Sequence, residues 1–304
     1  MLFLIREMVA GNYYLGGLRM LTKIKRKYER PIMQQNNFDQ IEYLTFPLLS
    51  KTGLVNHLFT TRIGGVSKDI FSSMNFSYVR GDDKESVDEN YNRIATVFDS
   101  SPNQIVCSDQ THTTNIRLVT SKDCGKGVVR EKDYTDIDGL ITDEPGIILA
   151  TFYADCVPLY FIDTEHKAIG LSHSGWRGTV GKMGACTLKS MQDAFGTRPE
   201  NVIAAIGPSI CQDCYEVSED VAIKFRELFK DCPPQIVSTG KTKGKYQLNL
   251  WEANKQILLY AGILPQNLEV TDICTCCNPH YLFSHRASNG KRGNLAAMME
   301  LRKS

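Results

Sequence analysis

Residues 146–175 read GIILATFYADCVPLYFIDTEHKAIGLSHSG, and in this stretch three apolar runs alternate with short polar segments. The runs GIILATF, VPLYFID and AIGLSHSG are too short for independent helices and are rich in Ile, Val and Phe, which is typical of buried strands. A fourth run of this kind, VIAAIGP at 202–208, ends in a Gly-Pro pair that would stop a strand. We therefore predict four buried strands between residues 146 and 208.

Amphipathic segments surround these strands. Asp82 followed by Glu85 resembles a capping box, and apolar residues recur at helical spacing behind it. Helical spacing also extends over 178–195, over a segment capped by Ser218, and over 250–262 with Gly262 as the predicted C-cap. Because strands and helices alternate without a strict βαβ rhythm, we predict a single mixed-sheet domain of the α+β or mixed α/β class.

The bulk composition is that of an ordinary folded protein. The chain has 304 residues, of which 42% are hydrophobic and 23% are charged, and its net charge is +1. This balance provides no overall basic face for nucleic acid or for an anionic membrane surface. No stretch approaches the roughly 20 apolar residues that cross a bilayer. We therefore predict neither nucleic acid nor membrane as a partner.

The N-terminal segment carries no recognisable export signal. Arg6 and Glu7 interrupt its apolar residues, and no cleavage pattern follows. Met33 follows a basic stretch and could equally be the start, so we predict that residues 1–32 are a poorly ordered extension or an artefact of the start site. We expect a cytoplasmic, reducing location, in which the ten cysteines are free thiols or metal ligands.

Three segments place a metal-ligating side chain beside small or turn-forming residues at the edge of a predicted strand. They are SDQTHTT around His112, YADCVPLY around Cys156 and SHSGWRG around His173. Two imidazoles and one thiolate suit zinc and leave a fourth tetrahedral position for water, whose pKa falls to about 7 on the metal. The spacing matches no compact zinc motif, so a core cysteine and two hydrogen-bonded loop histidines are the alternative interpretation.

A second group of cysteines could also bind metal. The segment CTCCNPH contains Cys274, Cys276 and Cys277, and Cys211 and Cys214 form a CxxC pair. A structural zinc usually needs two such units, and Cys211, Cys214, Cys274 and Cys276 could supply them. The alternative is that these thiols line a pocket wall or the core.

Several charged residues are candidates for substrate binding or proton transfer. Arg62 in TTRIGGVS, Arg177 in GWRG and Arg286 in FSHRASNGKRG could each bind a phosphate, or could be surface or ion-pair arginines. Asp155 and Asp138 could act as a general base or orient a ligand, although an aspartate at a turn more often caps a backbone N–H. The chain contains neither a P-loop nor a GxGxxG after a strand, so triphosphate and dinucleotide binding are unsupported.

Taken in order, the segments TRIGGVS, QTH, DGLIT, ADCVPLYF, HSGWRG, IGPSI…CYEV, CTCCNP and FSHR resemble the laccase-domain, or polyphenol-oxidase-like, family. Members of that family include purine nucleoside phosphorylases and the peptidoglycan editing factor. The resemblance implies that residues 33–304 form a catalytic domain, a four-layer α-β-β-α sandwich with mixed sheets. It also implies that His112, Cys156 and His173, which match the family's ligand positions, bind a single zinc ion.

The resemblance further implies an enzyme that phosphorolyses adenosine, inosine, guanosine and methylthioadenosine and that deaminates adenosine. In deamination a zinc-activated water would attack the purine carbon that bears the amino group. In phosphorolysis phosphate would attack the anomeric carbon, and cations such as Arg62 or Arg177 would stabilise it. The chain departs from the family at Arg292-Gly293-Asn294, where many relatives carry a glycine-arginine pair. The deaminase pattern HxE…PCxxC is also absent, so deamination would use a different scaffold.

Three other classes of function are open on the sequence alone. With the same fold, Cys156 could be a thiolate nucleophile and His173 its base, in a cysteine hydrolase or a peptidoglycan-precursor editing enzyme. A copper oxidase would need several coppers, whereas we can place only three ligands. A non-catalytic protein could hold a structural zinc at the second cysteine group. No sequence pattern indicates the preferred nucleoside or the oligomeric state.

Overall fold

The computed structural model of the chain describes residues 14–15, 18–19, 21–230 and 233–303. In these residues two six-stranded sheets pack face to face, and helices cover the outer face of each sheet. This arrangement is the predicted four-layer α-β-β-α sandwich. None of the helices in these ranges combines the length and the apolar composition that a membrane span requires.

The strands of the described residues are, in chain order, β1 (Tyr14–Leu15), β2 (Leu18–Arg19), β3 (Gln34–Phe38), β4 (Ile41–Thr45), β5 (Val55–Thr60), β6 (Ile105–Cys107), β7 (Ile116–Leu118), β8 (Gly139–Thr142), β9 (Ile148–Tyr153), β10 (Val157–Asp163), β11 (Ala168–Ser174), β12 (Val202–Ile206), β13 (Glu216–Ser218), β14 (Val237–Thr239), β15 (Lys245–Leu248), β16 (Leu268–Val270) and β17 (Leu295–Leu301). The α-helices of the same ranges are α1 (Pro47–Ser50), α2 (Lys84–Thr96), α3 (Trp176–Val180), α4 (Met183–Phe195), α5 (Glu219–Leu228) and α6 (Leu250–Tyr260).

The strand order is β16-β12-β10-β11-β8-β7 in one large sheet and β3-β4-β5-β17-β9-β6 in the other. Most neighbouring strands are antiparallel, but β12 and β16, β7 and β8, and β6 and β9 run parallel. Both large sheets are therefore mixed, as the sequence predicts. A smaller sheet, β13-β15-β14, lies beside α5, and β1 pairs with β2.

The four predicted strands are confirmed as β9, β10, β11 and β12. Strand β10 shows why their sequences are apolar throughout. Leu159 and Phe161 face the helices α4 and α6, whereas Tyr160 and Ile162 face the second sheet. Because both faces of the sheet are covered, the alternation of apolar and polar residues that marks a half-exposed strand is lost.

Three hydrophobic cores separate the four layers. The central core lies between the sheets and includes Phe59, Leu149, Leu171 and Met299. One outer core packs α4, α5 and α6 on the sheet that contains β10. The other outer core packs α2 on the sheet that contains β17.

Two of the helix predictions need correction. Helix α2 is capped by Asp83, whose carboxylate accepts the Ser86 amide at 2.9 Å, and not by Asp82. Asp82 instead accepts a hydrogen bond from Asn75 Nδ2 at 2.8 Å. The helix predicted over 178–195 is two helices, α3 and α4, because the chain breaks at Gly181 and at Lys182, where φ is 57°.

The other two helices agree better with their predicted ends. Helix α5 begins after Ser218, the predicted N-cap residue, although the Ser218 side chain makes no capping bond. Helix α6 ends at Tyr260, and the chain leaves it through Gly262 with φ 100°, a conformation that glycine adopts readily.

Part of the predicted N-terminal extension contacts the domain. Arg26 pairs with the buried Asp272 at 2.6 Å, and the Lys25 amide donates to Asn278 Oδ1 at 2.7 Å. Ile24 packs against the central core. These contacts attach the segment from residue 21 onward to the folded domain. Residues 1–13, 16–17 and 20 of the predicted extension lie outside the described residues.

Candidate functional site

The three predicted ligands come together at one end of the sandwich. His112 follows β6, Cys156 lies in the turn between β9 and β10, and His173 is on β11. Their ligand atoms lie within 4.8 Å of one another, and His112 Nε2 is 3.9 Å from Cys156 Sγ. The two imidazole rings meet nearly edge to face, with centroids 4.9 Å apart. Two nitrogens and one sulfur in this arrangement could hold a metal ion.

The pairing of β10 with β11 places Cys156 beside His173. Pro158 pairs with His173, so Cys156, which directly precedes β10, lies next to His173 at the open end of the hairpin. His112 approaches from the other side across Gly175. A Cβ added at Gly175 would lie 2.8 Å from His112 Cδ2 and 3.1 Å from Cys156 Sγ. The glycine therefore leaves the space in which the three side chains meet.

Gln110 holds the His112 loop against β9. Its amide oxygen accepts the Phe152 N–H at 2.6 Å, and its amide nitrogen donates to the Phe152 carbonyl at 2.8 Å. The side chain thus pairs with β9 in the manner of a neighbouring strand. This contact explains the glutamine of the QTH segment.

Asp138 connects His173 with the loop that carries His112. Its Oδ1 accepts His173 Nδ1 at 2.7 Å and the His112 amide at 3.2 Å, and its Oδ2 accepts the Thr113 amide at 2.8 Å. Because Nδ1 of His173 is the donor in this bond, Nε2 is left for a metal. Of the two aspartates that the sequence singles out, Asp138 is the one whose carboxylate contacts the ring of a candidate ligand.

The environment favours a thiolate at Cys156. Burial opposes ionisation, but the positive charge of His173 and the contact with His112 outweigh it and lower the pKa of Cys156 to about 6. Burial also opposes charge on His173, whereas the Cys156 thiolate and the bond to Asp138 raise the pKa of His173 to about 9. A thiolate is the form that ligates metals and attacks electrophiles.

The ligands open onto a cavity of about 730 Å³, a volume within the roughly 300–1,000 Å³ of small-molecule sites. Its wall combines aromatic side chains with cations. The aromatic residues are Phe76, Tyr78, Tyr91, Phe152 and Tyr153, and the cationic residues are Arg80, Lys132 and Arg292. Such a wall suits a flat aromatic ring joined to an anionic or strongly polar group.

Helix α2 holds the part of the wall that runs from Phe76 to Arg80. Tyr91 donates to the Phe76 carbonyl at 3.0 Å, and its ring stacks on Tyr78 with centroids 5.7 Å apart. The buried Asn90 accepts the Val66 amide and donates to three oxygens of the same loop region. The wall is therefore part of the packed structure.

Arg80 and Arg292 are functional candidates that the motif analysis did not assign. Arg292 is half-buried, and its Nε has no hydrogen-bond partner. Burial, followed by the charge of Arg80, lowers the pKa of Arg292 to about 10. Two arginines that repel each other at the edge of a cavity favour an anion between them. For Arg80, the adjoining turn glycine Gly81 was the sequence signal available.

The arginines that the sequence did single out lie elsewhere. Arg62 donates to the carbonyls of Ser72 and Pro279 at 2.7 and 2.6 Å. Arg177 is exposed and stacks on Trp176, with its guanidinium carbon 4.3 Å from the ring centroid. Arg286 donates through its guanidinium to backbone carbonyls of the chain around Cys214. None of these three guanidinium groups lines the cavity described above.

Asp155 is buried beside the site, but its carboxylate is engaged by other groups. Oδ1 accepts Thr275 Oγ1 at 2.6 Å, and Oδ2 accepts the Arg286 amide at 2.7 Å. The residue has φ 92°, so these two bonds hold the strained turn that presents Cys156. This geometry favours a positioning role over that of a general base.

The second cysteine group also comes together. Cys211, Cys214, Cys274 and Cys277 have sulfur atoms within 4.8 Å of one another. The fourth member is thus Cys277, not Cys276 as expected from the sequence. The CxxC spacing from 274 to 277 matches that from 211 to 214, and this match is the sequence signal for Cys277.

Comparisons with known proteins identify relatives of this chain. Residues 56–302 match the family described as multi-copper polyphenol oxidoreductase laccase. The chain is 34% identical over 247 residues to the purine nucleoside phosphorylase YlmD of Bacillus subtilis strain 168, which covers 80% of this chain and 87% of that protein. It is 35% identical over 261 residues to a purine nucleoside phosphorylase of Bacteroides thetaiotaomicron, which covers 86% of this chain and 96% of that protein.

The fold agrees as well. The crystal structure of YlmD from Geobacillus stearothermophilus matches with a TM-score of 0.82 and 34% identity, covering 90% of this chain and 100% of that chain. The family match spans residues 56–302, which is most of the chain. This chain therefore belongs to the multi-copper polyphenol oxidoreductase laccase family.

Proposed function

We propose that this protein is a zinc-dependent purine nucleoside phosphorylase that also deaminates adenosine. Its substrates would be adenosine, inosine, guanosine and methylthioadenosine, with phosphate as the second substrate. The observation that carries the proposal is the meeting of His112, Cys156 and His173 at a cavity with aromatic and cationic walls. The activity named for the Bacillus and Bacteroides relatives supports the same reaction.

The donor set fits a zinc ion. Tetrahedral zinc with bonds of about 2.3 Å to sulfur and 2.0–2.1 Å to nitrogen places the two ligand atoms about 3.6 Å apart, and His112 Nε2 lies 3.9 Å from Cys156 Sγ. When bound, zinc would supply Lewis-acid polarisation and a water that ionises near neutral pH, which hydrolytic deamination needs. Asp138 would accept the Nδ1–H of His173 and thereby aim its Nε2 at the metal.

The cavity wall suggests how the two substrates would be arranged. Phe76 and Phe152 offer aromatic surface for a purine. Arg80 and Arg292 would hold phosphate by charge-assisted hydrogen bonds. They would take the role that the sequence analysis gave to Arg62 and Arg177. Phosphate bound there would lie ready to attack the anomeric carbon, and the arginines would stabilise its charge in the transition state.

Product analysis with adenosine tests the reaction. Metal-replete protein should convert adenosine to adenine and ribose 1-phosphate only when phosphate is present, and to inosine without phosphate. Chromatography of the nucleosides and bases separates these outcomes. A metal-replete protein that forms none of these products with any of the four nucleosides would refute the proposed function.

Two variants test the phosphate site. Arg80→Ala should raise the KM for phosphate by at least tenfold, because it removes one of two cations that face the cavity. Arg177→Ala is the control, since that side chain is exposed and lies over Trp176, and it should leave the KM unchanged. The opposite pattern would restore the assignment made from the sequence.

A second function is favoured by one observation. The lowered pKa of Cys156, with His173 adjacent, is also what a thiolate nucleophile and its base would show. This arrangement would make a cysteine hydrolase or a peptidoglycan-precursor editing enzyme. Alkylation by iodoacetamide separates the two, because a metal-bound thiolate is poorly available for attack. We expect bound zinc to protect Cys156, and rapid alkylation with zinc bound would favour the hydrolase.

Metal analysis addresses the copper oxidase that the family description suggests. We expect zinc in protein expressed in zinc-containing medium, and copper as the resident metal would overturn this part of the proposal. We also propose a reducing, cytoplasmic location, in which the nine cysteines of the described ranges, none of them in a disulfide, would be thiols or metal ligands.

A further inference from the structure

The four-cysteine group lies outside the cavity and has no part in the proposed reaction. Cys211 and Cys214 are in the connection after β12, and Cys274 and Cys277 are in the connection after β16. Because β12 and β16 are parallel neighbours, both connections leave the same edge of the sheet. Two CxxC segments that are 63 residues apart in the chain are thereby brought together.

The distances between the sulfurs match a tetrahedral metal site. Cys214 Sγ is 3.5 Å from Cys277 Sγ, and Cys211 Sγ is 4.0 Å from Cys277 Sγ. Four sulfurs at about 2.3 Å from one zinc ion would be about 3.8 Å from one another. A disulfide would need about 2.05 Å. The observed separations fit four thiolates around a cation better than any pairwise bond.

A backbone amide supports one of the sulfurs. The Cys211 amide lies 3.2 Å from Cys274 Sγ and donates to it. Hydrogen bonds to charged acceptors are stronger than those to neutral ones, so this amide stabilises a thiolate at Cys274 in particular.

Cations surround the group. Four thiolates and one divalent ion carry a net charge of −2, which needs compensation in a partly buried position. Lys27 lies near the Cys211 sulfur and pairs with Asp213 Oδ2 at 2.8 Å. Lys241 and Arg286 donate to the carbonyls of Asp213 and Cys214, next to the group. These three cations lie where they would offset part of the negative charge of a metal-bound group.

We propose that Cys211, Cys214, Cys274 and Cys277 bind a second, structural zinc ion. The ligands are all supplied by the protein, so the site is closed and leaves no position for substrate. The metal crosslinks the two connections after β12 and β16.

The crosslink would support the neighbouring active-site turn. Thr275, between two of the ligands, donates to Asp155 Oδ1, and the Ile210 amide donates to the Asp155 carbonyl at 3.0 Å. Each connection therefore contacts the turn that presents Cys156. The second zinc would fix both contacts without touching substrate.

Metal stoichiometry of the full-length protein, purified with a phosphine reductant, tests the proposal. Wild type should contain two zinc ions per chain. Cys214→Ser and Cys277→Ser should each lower the content to one, and His112→Ala should do the same by emptying the other site. Cys276→Ser is the matched control, because this neighbouring cysteine is outside the four-sulfur group, and it should retain two.

Cobalt substitution keeps the test decisive if a serine variant does not fold. His112→Ala protein loaded with cobalt should show the intense sulfur-to-cobalt charge-transfer bands of a four-thiolate site. One metal ion per chain in fully loaded wild type that His112→Ala abolishes, or an unchanged metal content in both Cys214→Ser and Cys277→Ser, would overturn the proposal. These outcomes do not depend on phosphorylase activity, so failure of the catalytic proposal would be recognised separately.

Discussion

Asp138→Asn tests the residue that aligns the proposed catalytic metal site. The carboxylate accepts His173 Nδ1 and the His112 amide on Oδ1, and the Thr111 and Thr113 amides on Oδ2. All of these partners are donors. An asparagine has only one accepting oxygen, so its NH2 group would face donors in either orientation. The substitution therefore removes the orienting bond to His173 or disrupts the His112 loop.

The expected loss follows from these contacts. Removal of a hydrogen-bond partner of a ligating histidine typically costs 10–100-fold in metal affinity, which equals about 1.4–2.7 kcal/mol. Here the same substitution acts on two of the three ligands, so we expect the upper part of this range. The zinc Kd should rise by about 30–100-fold.

Competition with a chromogenic zinc chelator at pH 8 measures this Kd. The control is Asp163→Asn, which removes a similarly buried carboxylate from His166 Nδ1, 2.9 Å away, in a different part of the domain. The control should change stability and leave the affinity for metal unaltered. A zinc Kd for Asp138→Asn within about threefold of wild type, in a protein with native circular dichroism, would refute the orienting role of Asp138.

Three other changes give separate expectations. Gly175→Ala should abolish binding of the metal at His112, because the new Cβ would lie 2.8 Å from His112 Cδ2; metal analysis measures the loss. His57→Gln should flatten the dependence of stability on pH. Burial, followed by the charge of Arg302, lowers the pKa of His57 from 6.5 to about 3, so the unfolded chain takes up the proton first and wild type should lose about 2 kcal/mol between pH 7 and pH 5. Urea unfolding at the two pH values measures this loss. Asn90→Ala should destabilise the protein by about 1–3 kcal/mol and raise the nucleoside KM, because it frees the loop that precedes the cavity wall.

Each of these three changes has a control variant or an outcome that would contradict it. Gly178→Ala should retain the metal, since the atom nearest to a Cβ added at this position would be 3.5 Å away. Equal metal content in the two glycine variants would contradict the steric argument. A His57→Gln protein that keeps the full wild-type pH slope would show that other groups cause it. Asn92→Ala changes an exposed asparagine of the same helix, and a matching rise in its KM would remove the support for Asn90.

The strands from β9 to β12 could be predicted because each is a continuous run of apolar residues, which is visible in the local sequence. Their apolar runs are continuous, since helices cover one face of the sheet and the second sheet covers the other. Helix ends were predicted less well, because Asp82 and Asp83 are both good capping residues and the choice depends on Asn75, which binds Asp82. At the break after α3, Thr114 packs so close to Gly181 that a Cβ there would lie 2.7 Å from its Cγ2, and the local sequence does not contain this contact.

By itself the sequence determined which side chains can ligate metal and the family to which the chain belongs, because ligand chemistry and ordered motifs are properties of residue type and order. Only the tertiary structure decided where their polar atoms point. Arg62 is bound by backbone carbonyls, whereas Arg80 and Arg292 face the cavity, and Cys277 replaces Cys276 in the four-sulfur group. The direction of a long or loop-borne side chain is set by contacts with residues far away in the chain, and the local sequence does not contain those contacts.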